Sequence, residues 1–453
     1  MRGRVGTCAV GGGGRAHSGR RRRRVTGHAI VTRVNHHKLG TAGLVALVLA
    51  TAACTASPEP SAPATSQTTA RTTPTPAPIT LRTFDSPTRF EGDPVPVTLP
   101  ALEANVAGDF TSGFLLSGPT AFGVTATSVG AVDLATGGTA WETRFPHAPD
   151  DAPADVFYSD RRPGAPVPSD DGATLYAVLP VHVPGSGTTA ARDAFEVLAV
   201  TAASGEPVWD AQVDDEDTVL AESGPVRVEA VDDERVVVSA AGQAAALSAV
   251  DGTVLWSRPG TVQAVTADAV LVVAEVPEGG DGPGYPQLLG LDPTTGDVLW
   301  SGGDEVATAV SSAAALATDE GLVVTAGPYT GADPWTAVID PRTGEVVRDL
   351  DVTLERPVRD GDLLYDVGGG LRALDPRTLE PLWTLPTDGR VAVERPVVFG
   401  GHVYGRVPGA SVVLDGRTGE DVTVDVPGSF VAVNEYGALM YRDKAVVFVP
   451  ATA

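Results

Sequence analysis

Short apolar runs dominated by β-branched residues recur along the chain beyond about residue 80. Examples are RVVVSA at 235–240, AVLVVAEV at 269–276, GLVVTAG at 321–327 and ASVVLDG at 410–416. Each has the length and composition of a β-strand, and no long stretch past residue 80 places its apolar residues at helical spacing. The pattern predicts an all-β protein.

Between these runs one unit returns seven times. It reads VDLATGGTAW from Val132, VTAASGEPVW from Val200, LSAVDGTVLW from Leu247, LDPTTGDVLW from Leu291, IDPRTGEVVR from Ile339, LDPRTLEPLW from Leu374 and LDGRTGEDVT from Leu414. An apolar strand end runs into Asp or a small polar residue whose side chain can cap a turn, and glycine then supplies the positive φ of a tight hairpin. The turn positions are Gly137, Gly205, Gly252, Gly296, Gly344, Leu379 and Gly419, separated by 68, 47, 44, 48, 35 and 40 residues. Apart from the first, each interval suits one four-stranded antiparallel blade of a β-propeller. Four residues after the turn stand Trp141, Trp209, Trp256, Trp300 and Trp383, five of the six tryptophans. A large flat ring at a fixed place in each blade is expected to pack against the neighbouring blade rather than to bind a ligand.

This unit, strand-Asp-Pro-x-Thr-Gly-x-x-Leu-Trp, resembles the repeat of the PQQ-like (pyrroloquinoline-quinone) proteins over about 121–425. The resemblance implies a propeller of seven or eight blades. After the seventh unit, strand-like runs remain at 430–434, 438–442 and 445–450, one strand short of a blade, and VPVTLP at 95–100 is available to supply the fourth. Eight blades are expected, the last shared between the two ends of the chain, with seven as the alternative. The long first interval places an insertion at roughly 146–192, expected to leave its blade as loops. Within it Phe157 and Tyr158 beside Asp155 and Asp160 combine aromatic anchors with an acidic rim, and are the candidate partner-binding residues. The competing reading is a tolerated surface insertion of no consequence.

Residues 1–53 hold ten Arg or Lys and no acid, and end in the apolar run LGTAGLVALVLATAA at 39–53. That is the layout of a secretory signal, and the run falls short of the roughly 20 residues that span a bilayer. ATAAC, ending at Cys54, resembles the bacterial lipobox, which implies that Cys54 is lipidated and becomes the mature N-terminus. Thr51 stands where that motif usually has Leu, and ordinary cleavage after the small residues, giving a secreted protein, is the alternative. The arginine run at 20–24 has no twin-arginine context after it, and the first thirty or so residues are read either as a long leader or as lying upstream of the true start. Residues 54–79 are nearly all Ser, Thr, Pro and Ala, too polar and proline-rich to fold, and are read as a disordered tether ahead of one propeller domain at 80–453.

The chain carries a net charge of −25, and beyond the leader 22 basic residues face 57 acidic ones. Such a surface repels nucleic acid and anionic lipid, so no nucleic-acid partner is expected and the membrane is reached through the lipid anchor alone. Cys8 lies in the leader, leaving the mature chain no cysteine pair for a disulfide. The Ala-, Gly-, Pro-, Asp- and Arg-rich composition, with Lys444 the one lysine after the leader, points to a high-GC actinobacterial source.

Some PQQ-like relatives are quinone-dependent dehydrogenases that hold the quinone with calcium, many of them under a disulfide between adjacent cysteines. No such cysteines occur in the mature chain, and no acid, amide and Trp set matches those ligands, so no cofactor, metal or catalytic residue is assigned. His147, His182 and His402 lie far apart and are read as surface or turn residues. The acidic clusters at 214–217 and 232–234 lack the spacing of a calcium loop and are read as solvated. What remains is a monomeric, non-catalytic binding or scaffold protein of the cell envelope, presenting loops on a rigid ring to an unknown protein or envelope component. The PQQ-like group includes a lipoprotein of that kind. A quinone-dependent enzyme or small-ligand sensor using the central channel is the alternative.

Overall fold

A computed structural model of the chain describes residues 78–97, 113–148, 163–214, 226–240, 242–276, 285–302, 310–318, 321–328, 334–387, 389–443 and 445–453, all within the unit Thr73–Ala453. The described residues contain no helix. Their strands form eight four-stranded antiparallel sheets, the blades of a β-propeller. In chain order the first seven blades cover 114–144, 167–214, 227–259, 261–301, 310–349, 357–385 and 394–426, and the eighth joins 429–450 to Val95–Pro96.

Sheet order follows chain order in the first seven blades, and the first strands of neighbouring blades meet in an almost complete circuit. Phe114–Ser117 meets Ser429–Asn434, which meets Glu394–Phe399, and the contacts continue round to Arg227–Val231 and Val167–Pro168. First strands therefore line the axis, and fourth strands form the rim. Antiparallel order also fixes two faces. The turns between strands one and two and between strands three and four open on one face, whereas the middle hairpins and the links to the next blade open on the other.

The two chain ends close the ring. Val95 pairs with Phe448 and Pro96 with Val447, so the N-terminal strand is the outermost strand of the eighth blade. The other three strands of that blade, Ser429–Asn434, Gly437–Arg442 and Ala445–Pro450, are the runs expected from the sequence. Middle strands are buried on both sides, as in Arg235–Ala240 and Gln243–Ser248, which explains why they read as continuous apolar runs without alternation. Apolar clusters fill the gaps between blades; Phe122 and Phe145 of the first blade, for instance, pack with Leu175, Leu179 and Leu198 of the second.

The first long interval departs from expectation. Its described part does not leave the blade wholly as loops but builds Val167–Pro168 and the ten-residue strand Thr174–Val183, which pairs along its length with Arg192–Thr201. As strand, these residues satisfy one another's backbone groups, which a loop would leave to water. Phe157, Tyr158, Asp155 and Asp160 lie outside the described residues, as do Cys54, the leader and nearly all of the tether.

Candidate functional site

The repeated units sit at the turns between third and fourth strands. The Asp292 carboxylate accepts the N–H groups of Thr294 and Thr295 at 2.8 and 2.9 Å, and Asp375 accepts those of Arg377 and Thr378, both at 2.9 Å. These bonds favour the ionised form and hold both carboxyls below the ordinary carboxylate range. Each turn is then covered by the preceding blade. Trp141, on the rim strand of the first blade, lies against Gly205 of the second and donates its Nε1–H to Ala202 O at 3.0 Å. Trp209, Trp256, Trp300 and Trp383 cover Gly252, Gly296, Gly344 and Gly419 in the same way, with their N–H groups on Ala249, Pro293, Pro341 and Gly416. At these last four glycines φ is +70 to +74° and a Cβ would come within 2.5 to 2.7 Å of the indole, so two separate demands fall on one residue. Trp209, Trp256 and Trp300 are buried, whereas Trp141 and Trp383 are half-buried.

The exceptions are paired in space. The fifth blade has Arg348 where others have Trp, and the turn it faces has Leu379 where others have Gly. With no indole overhead, Leu379 keeps a φ of +60° and buries its side chain among Val338, Leu364 and Leu374. Arg348 donates instead to Arg377 O at 3.0 Å. Beside this junction lies a cavity of about 430 Å³ lined by residues such as Leu350, Thr353 and Leu379, next to one of about 330 Å³ holding the Asp366–Arg372 pair at 2.8 Å. At the junction of the seventh and eighth blades Thr423 replaces Trp and donates Oγ1–H to Thr88 O, while Phe90 packs edge-on to Tyr404 and Phe430. Gly137 is covered by Val95 and Pro96.

On the face opposite the repeated turns, the fold gathers a group that the sequence reading left apart. Glu196 stands in a strand buried on both sides and is 0% exposed. Across to the rim strand it pairs with Gln212, and Asp210, opposite Leu198, is the next residue on that face. His147 follows the rim strand of the first blade, just past the fully buried Phe145. Its backbone N–H donates to Glu196 Oε2 at 3.1 Å, and its Nδ1 lies 2.6 Å from Oε1. One ligand atom from each of His147, Glu196 and Asp210 lies within 4.8 Å of the other two, with His147 and Asp210 exposed. Sequence distance hid this grouping; the available signal was Glu196, the one acid in the apolar run AFEVLAV at 194–200.

The other polar candidates are placed differently. His182 pairs with Asp193 at 2.8 Å across the long hairpin, and His402 lies beside the Tyr404 ring. Asp232 accepts the Glu234 and Arg235 N–H groups and pairs with the Arg235 side chain, so it is a turn cap. Glu229, at a bulge in the axial strand of the third blade, is largely removed from water. Burial pushes its carboxyl up to about 7, against the pull of Arg227 at 3.8 Å and a hydrogen bond from Ser239.

Residues 193–367 match the family model described as outer membrane protein assembly factor BamB. No curated protein matches the chain. Solved structures that resemble it include BamB from Moraxella catarrhalis, at 16% identity and a TM-score of 0.46, with 76% of this chain and 97% of that one covered. A computationally designed protein, Ika8, gives 16% identity and 0.49 over 81% and 99%, and a europium-containing methanol dehydrogenase 14% and 0.44 over 71% and 79%. With seven copies of the repeat laid out on eight four-stranded blades, the chain is a β-propeller protein of PQQ-like repeats.

Proposed function

We propose that the protein is a non-catalytic scaffold of the cell envelope, held to the outer face of the cytoplasmic membrane by a lipid on Cys54 and presenting one propeller face to a protein partner. The observation that carries this reading is the match of 193–367 to an assembly-factor family. A closed ring supports it physically, because loops on a rigid scaffold lose little freedom on binding. The partner face in this proposal is the one opposite the repeated turns, where the link that begins after His147 and the hairpin between Val183 and Arg192 both open. Asp155, Phe157, Tyr158 and Asp160 fall in that link and are the proposed contact residues.

The test is photo-crosslinking in living cells from probes placed at Phe157 and Tyr158. One envelope protein should be captured repeatedly, and replacing 149–164 by a short Gly-Ser link should abolish its capture while the propeller stays folded. An unchanged set of captured proteins from the folded variant sinks the proposed face. Cys54→Ala should move the protein from the membrane to the medium, since a lipid-modified cysteine carrying several acyl chains is a stable anchor. This reading assigns no cofactor, so pyrroloquinoline quinone with calcium should leave the melting temperature unchanged. A clear rise, as a ligand of the folded state must produce, would replace the scaffold by a quinone-dependent enzyme.

A further inference from the structure

We propose that His147, Glu196 and Asp210 bind a divalent transition ion of the zinc class, which ties the exit of the first blade to the second. Glu196 carries the argument. A carboxylate with no solvent exposure is costly unless opposite charge and hydrogen bonds compensate it. Among the described residues both of its partners belong to His147, the backbone N–H at 3.1 Å and Nδ1 at 2.6 Å. Neither a backbone N–H nor an imidazole is a permanent positive charge of the kind Arg or Lys would bring. A bound dication supplies that charge where the carboxylate is most shielded from water, and it takes its second carboxylate from Asp210 on the neighbouring strand.

The donor set selects the ion. One imidazole nitrogen with two carboxylates suits zinc and its transition-metal neighbours, whereas calcium and magnesium prefer oxygen alone. Three protein ligands leave the remaining position to water, on the side where His147 and Asp210 are exposed. Without metal, a proton lies between Nδ1 and Oε1. On binding, the ion takes that place, and the proton passes to solvent or to Nε2 of the same ring. Bonds of about 2 Å to each atom require them to separate to roughly 3 Å. The exposed His147 side chain can make that small movement, and Glu196 stays fixed in its strand.

The test is calorimetric titration of the purified protein, free of any histidine tag, with zinc, together with thermal melts and the visible spectrum of the cobalt form. The parent should bind zinc with a saturable component that Asp210→Asn and His147→Gln each weaken at least tenfold. Saturating zinc should raise its melting temperature by a few degrees, and both variants should lose that rise; calcium should do neither. Both substitutions are at exposed positions, so folding is retained even where Glu196→Gln misfolds. Cobalt should give the absorption of a low-coordinate site in the parent only. Zinc binding that both variants leave intact assigns the ion to another acidic or leader site and overturns the proposal, as does the absence of saturable binding. In either case His147 and Glu196 are a hydrogen-bonded pair and nothing more.

Discussion

At the scale of single residues the repeated glycine answers to two constraints, a positive φ and an indole lying on it, and substitutions separate them. Gly252→Ala meets both and should cost about 2–3 kcal/mol in denaturant unfolding. At the junction of the fifth and sixth blades the logic reverses. Arg348→Trp alone should destabilise, because Leu379 occupies the space an indole needs. Leu379→Gly alone should cost about 2–4 kcal/mol in lost burial. Together they restore the clasp found at the other junctions, so a double-mutant cycle should show favourable coupling of about 1 kcal/mol or more, and strict additivity would refute the clasp. Two kinds of carboxyl give opposite pH dependence. Asp292 and Asp375 are held low, so their stabilisation is present above the unfolded value of about 4 and is lost as pH falls through the lower folded value. An acid titration of Asp292→Ala with Asp375→Ala should therefore lose part of the parent's decline below about pH 4. Glu229 is raised to about 7, so its contribution is present below the unfolded value near 4 and is lost as pH rises through about 7. Glu229→Gln should be more stable than the parent at pH 8 by about 1–2 kcal/mol, with a smaller gap at pH 5.

At the scale of elements, a strand's position in its blade decides its composition. Middle strands are buried on both faces and read as unbroken apolar runs, so their limits are local and legible; 235–240 and 410–415 are strands almost residue for residue as read. Rim strands are mostly open to solvent, with Val254, Leu255, Val298 and Leu299 exposed beside buried Trp256 and Trp300. The axial strand Val167–Pro168 is two residues long and carries no period a sequence could reveal. The N-terminal strand Val95–Pro96 is equally short, yet it covers Gly137 and completes a sheet, and the segment before it seats Phe90 between Tyr404 and Phe430. Deleting 78–97 should therefore expose the edge of Ala445–Pro450 and empty an aromatic cluster, giving an insoluble or early-melting product in a thermal scan. A soluble, cooperative variant with the parent's melting temperature would show that the eighth blade stands without its fourth strand.

At the scale of the whole molecule, the ring was legible because its unit is local. A hairpin built on Asp or a small polar residue, usually Gly and most often Trp at fixed offsets writes itself into the sequence, and seven copies of it, with three leftover strands and one spare at the other end, count to eight blades. The same locality accounts for what was missed. The length of the insertion at 146–192 is visible in the sequence, while the pairing of its strand with Arg192–Thr201 depends on a middle strand long enough to receive it. Arg348 and Leu379 belong to two different units of the repeat, and only the stacking of neighbouring blades brings them to one junction. His147, Glu196 and Asp210 were unreadable as a group, since hydrogen bonds and metal ligands depend on distances in space and a blade boundary brings together residues whose separation in the chain carries no signal. Short-range physics, namely strand period, turn geometry and ring size, was determined by the sequence alone. Which residues face one another across blades was decided only when the ring closed, because closure fixes the neighbours of every blade at once.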